Sequence, residues 1–328
     1  MNSIGHNIKV ATSETIKEAS ILLRNGKLVV FPTETVYGLG GDATNEQAVA
    51  TIFSVKKRPA FNPLIVHTHN IETARTISIF DDRAEKLAKA FWPGALTLVL
   101  PRQKYCKVSL LASAGLNTIA IRIPAHPIAL KLIKESKCPI AAPSANHSSS
   151  ISPTHAMHVI SSLPNVDKGG PALVLDAGQC KIGIESTVID LSSTQAALLR
   201  PGGIVTTDIE KVINKISLSQ KFSSKPKAPG MLAKHYAPSI PLRMHASDKR
   251  PGELLLAFGP NAPNTASANL SATGNLIEAA GNLFAMLHAL DDDKASGIAV
   301  MSIPNIGLGE AINDRLYRAA SGFLPSSS

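Results

Sequence analysis

At the start of the chain, the spacing of apolar positions is first that of a helix and then that of an extended strand. Residues 13–25 carry apolar or small residues on one face behind a capping Ser13, which predicts a helix. The apolar run KLVVF at 27–31 predicts a buried strand. A second helix is expected over 45–57, and it must end near Arg58 because the following proline disfavours helical geometry.

Farther along the chain, short apolar runs outnumber helical segments. PLIVHT, ALTLVLP, TIAIRIP, PIAAPS, ALVLDAG and ESTVIDL predict strands, and a helix is expected near 82–91. Because full crossover helices do not separate many of these strands, we expect a mixed, twisted sheet with flanking helices, an α/β fold with α+β character. This first domain is predicted to span residues 1–207.

The last third of the chain has a different pattern. Residues 208–240 are rich in Ser, Lys, Pro and Ala without a sustained period, which is typical of a linker. Residues 241–328 alternate strand and helix, with helices expected near 274–291 and 309–321. We therefore predict a small, parallel, Rossmann-like C-terminal domain.

Composition narrows the class of protein. The chain has 328 residues, 44% hydrophobic and 17% charged, with three cysteines far apart and no apolar run long enough to span a membrane. This favours a cytoplasmic protein without a disulfide framework or a cysteine metal site. The net charge is +9, and since residues 241–328 hold six Lys/Arg against eight Asp/Glu, the first 240 residues carry +11. Nucleotides or RNA are plausible partners of that part.

Common catalytic motifs are missing. The sequence has no GxxxxGK[ST] phosphate loop, no complete GxGxxG, no HExxH and no GxSxG. What it offers instead are polar residues at the ends of apolar segments. Lys56, Lys57 and Arg58 are either a solvated helix cap or an anion clamp. Residues 142–152, APSANHSSSIS, are either a polar capping loop or a ligand loop.

Two charged or ionisable residues interrupt apolar strands. His67 lies in PLIVHT and Arg122 lies in TIAIRIP. Burying an unpaired charge costs several kcal/mol or more, so each must have a partner in the core or face a polar cavity.

Taken together, eight stretches of the sequence resemble the YrdC-like family, and more narrowly its long, two-domain threonylcarbamoyl-adenylate synthases. They lie in order between residues 13 and 240: FPTETVYGLG, KKRPAFNPLIVH, FWPGALTLVL, TIAIRIP, APSAN, GIESTVIDL, LLRPGGI and APGMLAKHYAP. The C-terminal part resembles the family's accessory domain only by length, position and strand and helix alternation.

The resemblance implies an enzyme that joins L-threonine, bicarbonate and ATP, with Mg²⁺, into threonylcarbamoyl-AMP and pyrophosphate. A partner complex then transfers the threonylcarbamoyl group to a tRNA adenosine. The resemblance assigns catalysis at the phosphates to Lys56, Arg58, Ser144 and Asn146. It assigns nucleotide contacts to Arg58, Asn62, Thr118, Ser144, Ser152, Arg200 and Tyr236. It assigns threonine contacts to Thr35, His67, Arg122, Ser186 and the backbone at Ala142. It implies no resident protein-bound metal.

Elementary chemistry agrees with these assignments. Arg122 is the natural partner for the threonine carboxylate, and either Thr35 or Ser186 could supply the polar contact that selects for a hydroxyl group. In the stretch 31–41, FPTETVYGLGG, we expect Thr35 to face the amino acid, Tyr37 to support the turn, and the glycines to bring backbone close to ligand. The alternative for this stretch is a hairpin with a polar face.

The linker is expected to act as a lid. Residues 225–240, hinged near Gly230 and carrying Tyr236, would exclude water from a readily hydrolysed adenylate. Two other functions compete: an RNA-binding or ribosome-maturation factor that uses the basic domain, and a carbamoyl transferase of the hydrogenase-maturation type. The aromatic content of 4% argues against single-strand binding, and the zinc-finger cysteines that the transferase needs are missing.

Overall fold

The computed structural model describes residues 7–218 and 235–321. Within these ranges the helices are α1 (Ser13–Arg24), α2 (Glu46–Lys56), α3 (Ile71–Ile77), α4 (Asp82–Phe91), α5 (Pro127–Ser136), α6 (Ala156–Ile160), α7 (Thr206–Ile213), α8 (Leu276–Leu290) and α9 (Leu308–Ala320). The strands are β1 (Ile8–Val10), β2 (Val29–Phe31), β3 (Gly38–Asp42), β4 (Ile65–His67), β5 (Leu96–Pro101), β6 (Thr118–Arg122), β7 (Ile140–Ala141), β8 (Leu173–Asp176), β9 (Thr187–Asp190), β10 (Ala197–Arg200), β11 (Ser217–Leu218), β12 (Leu242–Arg243), β13 (Glu253–Ala257), β14 (Ala268–Asn269) and β15 (Gly297–Val300).

The strands form two sheets in the described part of the chain. The larger sheet has the order β1-β8-β2-β3-β7-β4-β6-β5-β9-β10-β11 and mixes parallel with antiparallel pairs. The smaller sheet has the order β12-β15-β13-β14 and all its pairs are parallel. Both parts of the predicted fold class are confirmed: a mixed sheet with flanking helices, followed by a small parallel α/β sheet.

Helix α1 forms where its apolar period predicts it. Its buried side chains are those of the predicted face, Ile16, Ala19, Ser20 and Leu23. The N-cap is Thr12 rather than Ser13, because Thr12 and Thr15 form a reciprocal capping box with each other's backbone N–H. The sequence thus predicts the helix, and the hydroxyl spacing sets its first residue.

The glycines of the stretch 31–41 belong to a strand rather than to a turn. In the antiparallel hairpin of β2 and β3, Phe31 pairs with Gly38 and Val29 pairs with Gly40. A Cβ atom on Gly40 would lie 2.7 Å from Cε1 of Phe31. Gly40 therefore makes room for an aromatic ring in the core, whereas Gly38 lines the cavity described below.

The C-terminal sheet and its helices share a core with the first part of the chain. Leu283, Phe284 and Ile312 pack in one buried cluster with Val36 and Ile184 of the large-sheet region. A buried apolar interface of this kind fixes the two parts against each other. The chain stays with the large sheet up to Leu218, because β11 pairs with β10. The domain boundaries at 207 and 241 remain predictions.

No helix in residues 7–218 and 235–321 is long and apolar enough to cross a membrane.

Candidate active site

One face of the large sheet carries the floor of a cavity. His67 on β4 pairs with Arg122 on β6. On the other side of β6, Leu98 of β5 pairs with Ile121. Because successive side chains point to opposite faces, Thr97 and Arg122 lie side by side on the face opposite to Leu98 and Ile121. His67, Arg122 and Thr97 therefore form a row across three adjacent strands.

Arg122 has a partner in the core and also lines the cavity. Both alternatives that the sequence left open for this residue therefore apply. Its Nη2 donates to Glu34 Oε1 at 2.5 Å, its Nη1 to Thr35 Oγ1 at 3.0 Å, and its Nε to the carbonyl oxygen of Gly94 at 3.1 Å. Burial would raise the pKa of Glu34, but Arg122 outweighs burial and holds that pKa below its ordinary value. The guanidinium group is thus fixed in direction by a charged and two neutral acceptors.

His67 is a neutral base in this environment. Burial and the nearby Arg122 lower the pKa of His67 to about 3. Its Nδ1 atom is buried without a hydrogen-bond partner among the described residues. A neutral imidazole can accept or donate one hydrogen bond to a ligand without adding charge.

The short turn after β2 holds two interacting hydroxyl groups. Thr33 Oγ1 donates to the carbonyl oxygen of Val36 at 2.6 Å and lies 2.8 Å from Thr35 Oγ1. Tyr37 supports the turn as expected, since its hydroxyl donates to the carbonyl oxygen of Gly178 at 2.7 Å. This geometry holds the Thr35 hydroxyl beside Arg122.

The basic segment at the end of α2 is a solvated cap only at Lys57, which is exposed, whereas Lys56 and Arg58 are buried. Lys56 is 1% exposed, and its Nζ donates to the carbonyl oxygens of Ser144, at 2.6 Å, and of Asn146. Arg58 is also buried, and its Nε and Nη2 donate to the carbonyl oxygens of Asn62 and Pro63 at 2.9 and 2.8 Å. Burial and the nearby Arg200 lower the pKa of Arg58 to about 9. Two cations are therefore held inside the protein by backbone oxygens.

The loop that follows β7 is bound to Lys56. Ser144 forms a bridge with Gly38 of β3, and the Asn146 side-chain amide donates to the carbonyl oxygen of Ser150 at 2.8 Å. Ala142 donates its backbone N–H to Ile65 of β4 at 2.9 Å. The polar loop predicted at 142–152 is consequently a fixed wall of the cavity rather than a helix cap, because Lys56 holds two of its carbonyl groups.

A third wall comes from the start of β9 and the end of β10. Arg200 donates through Nη2 to the Ser186 carbonyl oxygen at 2.9 Å and to Ser186 Oγ at 3.2 Å. Ser186 Oγ also lies 2.7 Å from Thr97 Oγ1. Glu185 accepts from the hydroxyl of Ser152. The hydroxyl of Ser186 thus sits between a cation and a buried threonine.

The C-terminal part closes the cavity. Arg315 of α9 donates through Nε to Glu185 Oε2 at 2.7 Å, and its guanidinium carbon lies 5.1 Å from the ring centroid of Tyr236. Tyr236 is fully buried with φ of +63°, and its ring stacks on Phe284 at 5.6 Å. A left-handed tyrosine persists only where its surroundings hold it, and here both parts of the chain do so.

The structure brings most of the predicted site residues to one cavity. Those that line it are Thr35, Arg58, His67, Arg122, Ala142, Ser144, Ser186, Arg200 and Tyr236. Lys56, Asn146 and Ser152 lie behind this lining, held to it by the hydrogen bonds described above. Asn62 is fully buried next to Arg58, and both polar atoms of its side-chain amide lack a partner among the described residues. Thr118 does not line the cavity, since it lies at the far end of β6, roughly 13 Å along the strand from Arg122.

Several polar atoms without partners lie in the lining of this cavity or on residues bonded to it. Among the described residues, buried side-chain atoms that make no hydrogen bond include Glu34 Oε2, His67 Nδ1, His235 Nδ1, Tyr236 OH and Arg315 Nη2. Native proteins leave few such atoms, and a group of them indicates a place where ligand atoms complete the hydrogen bonds. The cavity holds about 50 Å³, whereas ligand pockets span roughly 300–1,000 Å³.

Two family models match almost the whole chain. The model for Sua5, YciO and YrdC proteins, described as telomere recombination, matches residues 21–202, and the model for the C-terminal domain of threonylcarbamoyl-AMP synthase matches residues 204–321. A threonylcarbamoyl-AMP synthase of Pyrococcus abyssi is 42% identical over 327 residues, which cover 94% of each chain. The chain belongs to the threonylcarbamoyl-AMP synthase family.

Other members of the threonylcarbamoyl-AMP synthase family also match this chain in sequence and in structure. The synthase of Bacillus subtilis is 41% identical over 330 residues, covering 94% of this chain and 93% of its own. A crystal structure of Pyrococcus abyssi Sua5 complexed with L-threonine superposes with a TM-score of 0.87 at 40% identity, and the match covers 97% of both chains. The family resemblance seen in the sequence motifs is confirmed.

Several residues of the site were missed by sequence reasoning. Glu185 and His235 stand inside the quoted motifs GIESTVIDL and HYAP, so a signal for both was present in the sequence. Thr33 and Glu34 directly precede the predicted Thr35 in the same turn. Arg315 had no signal, because only the packing of α9 against the first domain places it beside Glu185.

Proposed function

We propose that this chain is a threonylcarbamoyl-AMP synthase that joins L-threonine, bicarbonate and ATP and releases pyrophosphate. The observation that carries the proposal is the cavity itself, whose lining combines a fixed arginine beside hydroxyl groups with two further buried cations, Arg58 and Arg200. Such an arrangement suits an amino acid at one end and a polyphosphate at the other. The family membership of the chain supports the same reaction.

Arg122 is the proposed partner of the threonine carboxylate. Its guanidinium group is held by Glu34, Thr35 and Gly94, so the direction of its hydrogen bonds is set before the ligand arrives. A preorganised guanidinium fork loses little entropy when it binds a carboxylate. His67, Ser186 and the backbone at Ala142 complete the proposed amino-acid end.

Arg58 and Arg200 are the proposed cations of the nucleotide end. In the reaction, a carbamate oxygen attacks the α-phosphorus, the bond to the β-phosphate oxygen breaks, and pyrophosphate leaves with its electron pair. Negative charge grows on the phosphate oxygens, and fixed cations in a buried site stabilise that charge without a covalent intermediate. Ser144, Asn146, Asn62, Ser152 and Thr118 are the further proposed nucleotide contacts.

Lys56 has a second role in this proposal. Its Nζ is already bound to the carbonyl oxygens of Ser144 and Asn146. Burial and the neighbouring Arg58 hold the pKa of Lys56 well below its ordinary value. Lys56 therefore fixes the loop that carries Ser144 and Asn146, in addition to its proposed place at the phosphates.

Mg²⁺ is proposed to arrive with ATP. Glu185 is the one carboxylate among the described lining residues, and it is already engaged by Arg315 and Ser152. A single carboxylate that is already engaged fits an ion that takes most of its ligands from phosphates and water, the usual arrangement for nucleotide-bound Mg²⁺. The ion would neutralise charge on the phosphate oxygens. No group of three His, Cys, Asp or Glu in residues 7–218 and 235–321 is placed to hold a metal by itself.

Tyr236 is proposed to be the inner end of a lid. The part of the predicted lid before His235, including the Gly230 hinge, lies outside the described residues. A cavity of about 50 Å³ is too small for a nucleotide, and His235 and Tyr236 are the part of its lining that is proposed to move before ATP enters. Once they return, water is excluded from the adenylate.

Three further points belong to the proposal. The reaction takes place in the cytoplasm. A separate complex transfers the threonylcarbamoyl group to tRNA. The basic first domain contacts tRNA or double-stranded RNA directly.

The test is pyrophosphate release by the purified protein. We expect release only when threonine, bicarbonate and ATP are all present, and at least a 100-fold loss when Lys56 and Arg58 are both replaced by Ala. A parent protein that releases nothing, or a double variant that behaves like the parent, contradicts the proposal. Salt-sensitive RNA affinity without turnover would support the RNA-binding function instead.

The lid has its own test. Tyr236→Ala, or a chain cut before residue 225, should lower product yield more than it lowers threonine affinity measured by calorimetry. An unchanged yield from the shortened chain would rule out the lid.

A further inference from the structure

Two hydroxyl groups at the amino-acid end of the cavity, those of Thr35 and Ser186, each contact a second, buried threonine. Thr35 contacts Thr33, and Ser186 contacts Thr97. A hydroxyl group has a single proton to donate and two lone pairs that accept. The neighbours of each lining hydroxyl therefore decide whether it can donate to a ligand or only accept from one.

The Thr35 hydroxyl has its proton committed. Thr33 Oγ1 donates its own proton to the carbonyl oxygen of Val36, which can only accept. Thr33 Oγ1 also receives two longer contacts of 3.2 Å from the backbone N–H groups of Thr35 and Val36, and the shorter contact of 2.8 Å between Thr33 and Thr35 then uses the proton of Thr35. One lone pair of Thr35 accepts from Arg122 Nη1 at 3.0 Å. What remains for a ligand is one lone pair, so Thr35 is an acceptor.

The Ser186 hydroxyl is in the opposite situation. Thr97 is 0% exposed, and within the described residues its hydroxyl has one partner, Ser186 Oγ at 2.7 Å. If Thr97 did not donate to Ser186, its proton would be buried unpaired, which costs about 1–3 kcal/mol. Arg200 Nη2 donates to the same Ser186 oxygen at 3.2 Å. Both lone pairs of Ser186 are then used, and its proton is left for a ligand.

We propose that Thr97 and Thr33 are positioning residues that give Ser186 and Thr35 opposite hydrogen-bonding roles and thereby select an amino acid with a side-chain hydroxyl. A ligand hydroxyl both donates and accepts, so it can donate to Thr35 and accept from Ser186. A methyl group of the same size can do neither, and it would leave both protein groups unpaired. The inference rests on the proposed function, because it concerns the amino-acid substrate of that reaction.

The arrangement of the strands supports this pairing. Thr97 lies beside Arg122 on one face of the sheet, and Arg122 holds Thr35 by a hydrogen bond. Ser186 immediately precedes β9, whose Val188 pairs with Thr97. The donor and the acceptor are therefore each held by a side chain of the sheet, Ser186 by Thr97 of β5 and Thr35 by Arg122 of the adjacent β6.

The main experiment replaces Thr97 by Val, which keeps the shape and removes the hydroxyl. We expect the KM for threonine to rise about 10-fold, the effect of one neutral hydrogen bond, while the KM for ATP stays within about twofold. The inhibition constant of L-valine, which carries a methyl group in place of the hydroxyl, should change less than about twofold. Thr97→Ser should restore the parental KM.

A matched control removes another buried hydroxyl. Thr68 is 0% exposed, and its hydroxyl donates to the carbonyl oxygen of Asn70 at 3.2 Å, outside the cavity lining. Thr68→Val should keep both KM values. An unchanged KM for threonine in Thr97→Val overturns the inference. So does an equal weakening of threonine and valine, since that would place the Ser186 proton on the carboxylate or amino group shared by both.

A crystal structure of the parent with threonine gives a second, independent measurement if Thr97→Val does not fold. The threonine hydroxyl oxygen should lie within about 3.2 Å of both Thr35 Oγ1 and Ser186 Oγ, and any other position overturns the inference. The two proposals fail separately. A parent that binds threonine but releases no pyrophosphate contradicts the proposed function, while threonine affinities of the same variants still decide the inference.

Discussion

Replacing Arg315 by Met should destabilise the protein by about 3 kcal/mol. Arg315 is 0% exposed and holds Glu185, whose side chain is 8% exposed, through a 2.7 Å contact between Nε and Oε2. Removing one partner of a buried ion pair costs roughly 3–5 kcal/mol because the remaining charge is left unpaired. The low end applies here, since Ser152 still donates to Glu185 and Arg200 still lies nearby.

The assay is unfolding in guanidinium chloride, followed by circular dichroism for the whole chain and by fluorescence of Trp92, its one tryptophan. With a slope of about 5 kcal/mol per M, a loss of about 3 kcal/mol lowers the midpoint by roughly 0.6 M. Adding Glu185→Gln to Arg315→Met should recover part of the loss, because the carboxylate charge that Arg315 neutralised is then removed as well.

The control is Arg75→Met. Arg75 pairs with Glu85 at 2.9 Å, but the two side chains are 50% and 40% exposed. An exposed pair contributes little, so the midpoint should not change measurably. The reasoning is refuted if Arg315→Met shifts the midpoint no more than Arg75→Met does, or if the double variant is less stable than the single one.

Three further perturbations test the local geometry by the same unfolding assay. Lys57→Gly should stabilise by about 1 kcal/mol, because Lys57 ends α2 at φ of +51°; a loss of stability would contradict this. Gly40→Ala should cost about 1–3 kcal/mol through its clash with Phe31, whereas Gly281→Ala within α8 has room and should stabilise. The pKa of His67 is lowered to about 3 in the folded chain, so between pH 6.5 and pH 3 the unfolded state binds the extra proton and stability falls with decreasing pH. His67→Asn should flatten that slope by about 1.4 kcal/mol per pH unit, and an unchanged slope would show that His67 is not buried as a neutral base.

Much of the site could be predicted because its residues stand in ordered motifs. Thr35, Arg58, His67, Arg122, Ser144, Ser186, Arg200 and Tyr236 are spread over about 200 positions of the sequence, yet all line one cavity. The motif order fixes which residues belong together. It does not fix which side chain faces the cavity, and Lys56 shows the difference, because its Nζ is bound to two backbone oxygens behind the wall.

The sequence alone determined the elements whose pattern is local. The apolar face of α1, the proline that ends α2, and the change to parallel strand and helix alternation near residue 241 all follow from residue spacing, because a helix or a strand buries one face regardless of its partners. Tertiary structure decided what depends on distant neighbours. Gly40 is small because Phe31 packs over it. Thr97 contacts Ser186 because β5 and β9 are adjacent strands. Arg315 reaches Glu185 across 130 positions of the chain. Contacts of that kind arise from packing between separate elements, and no local spacing in the sequence encodes them.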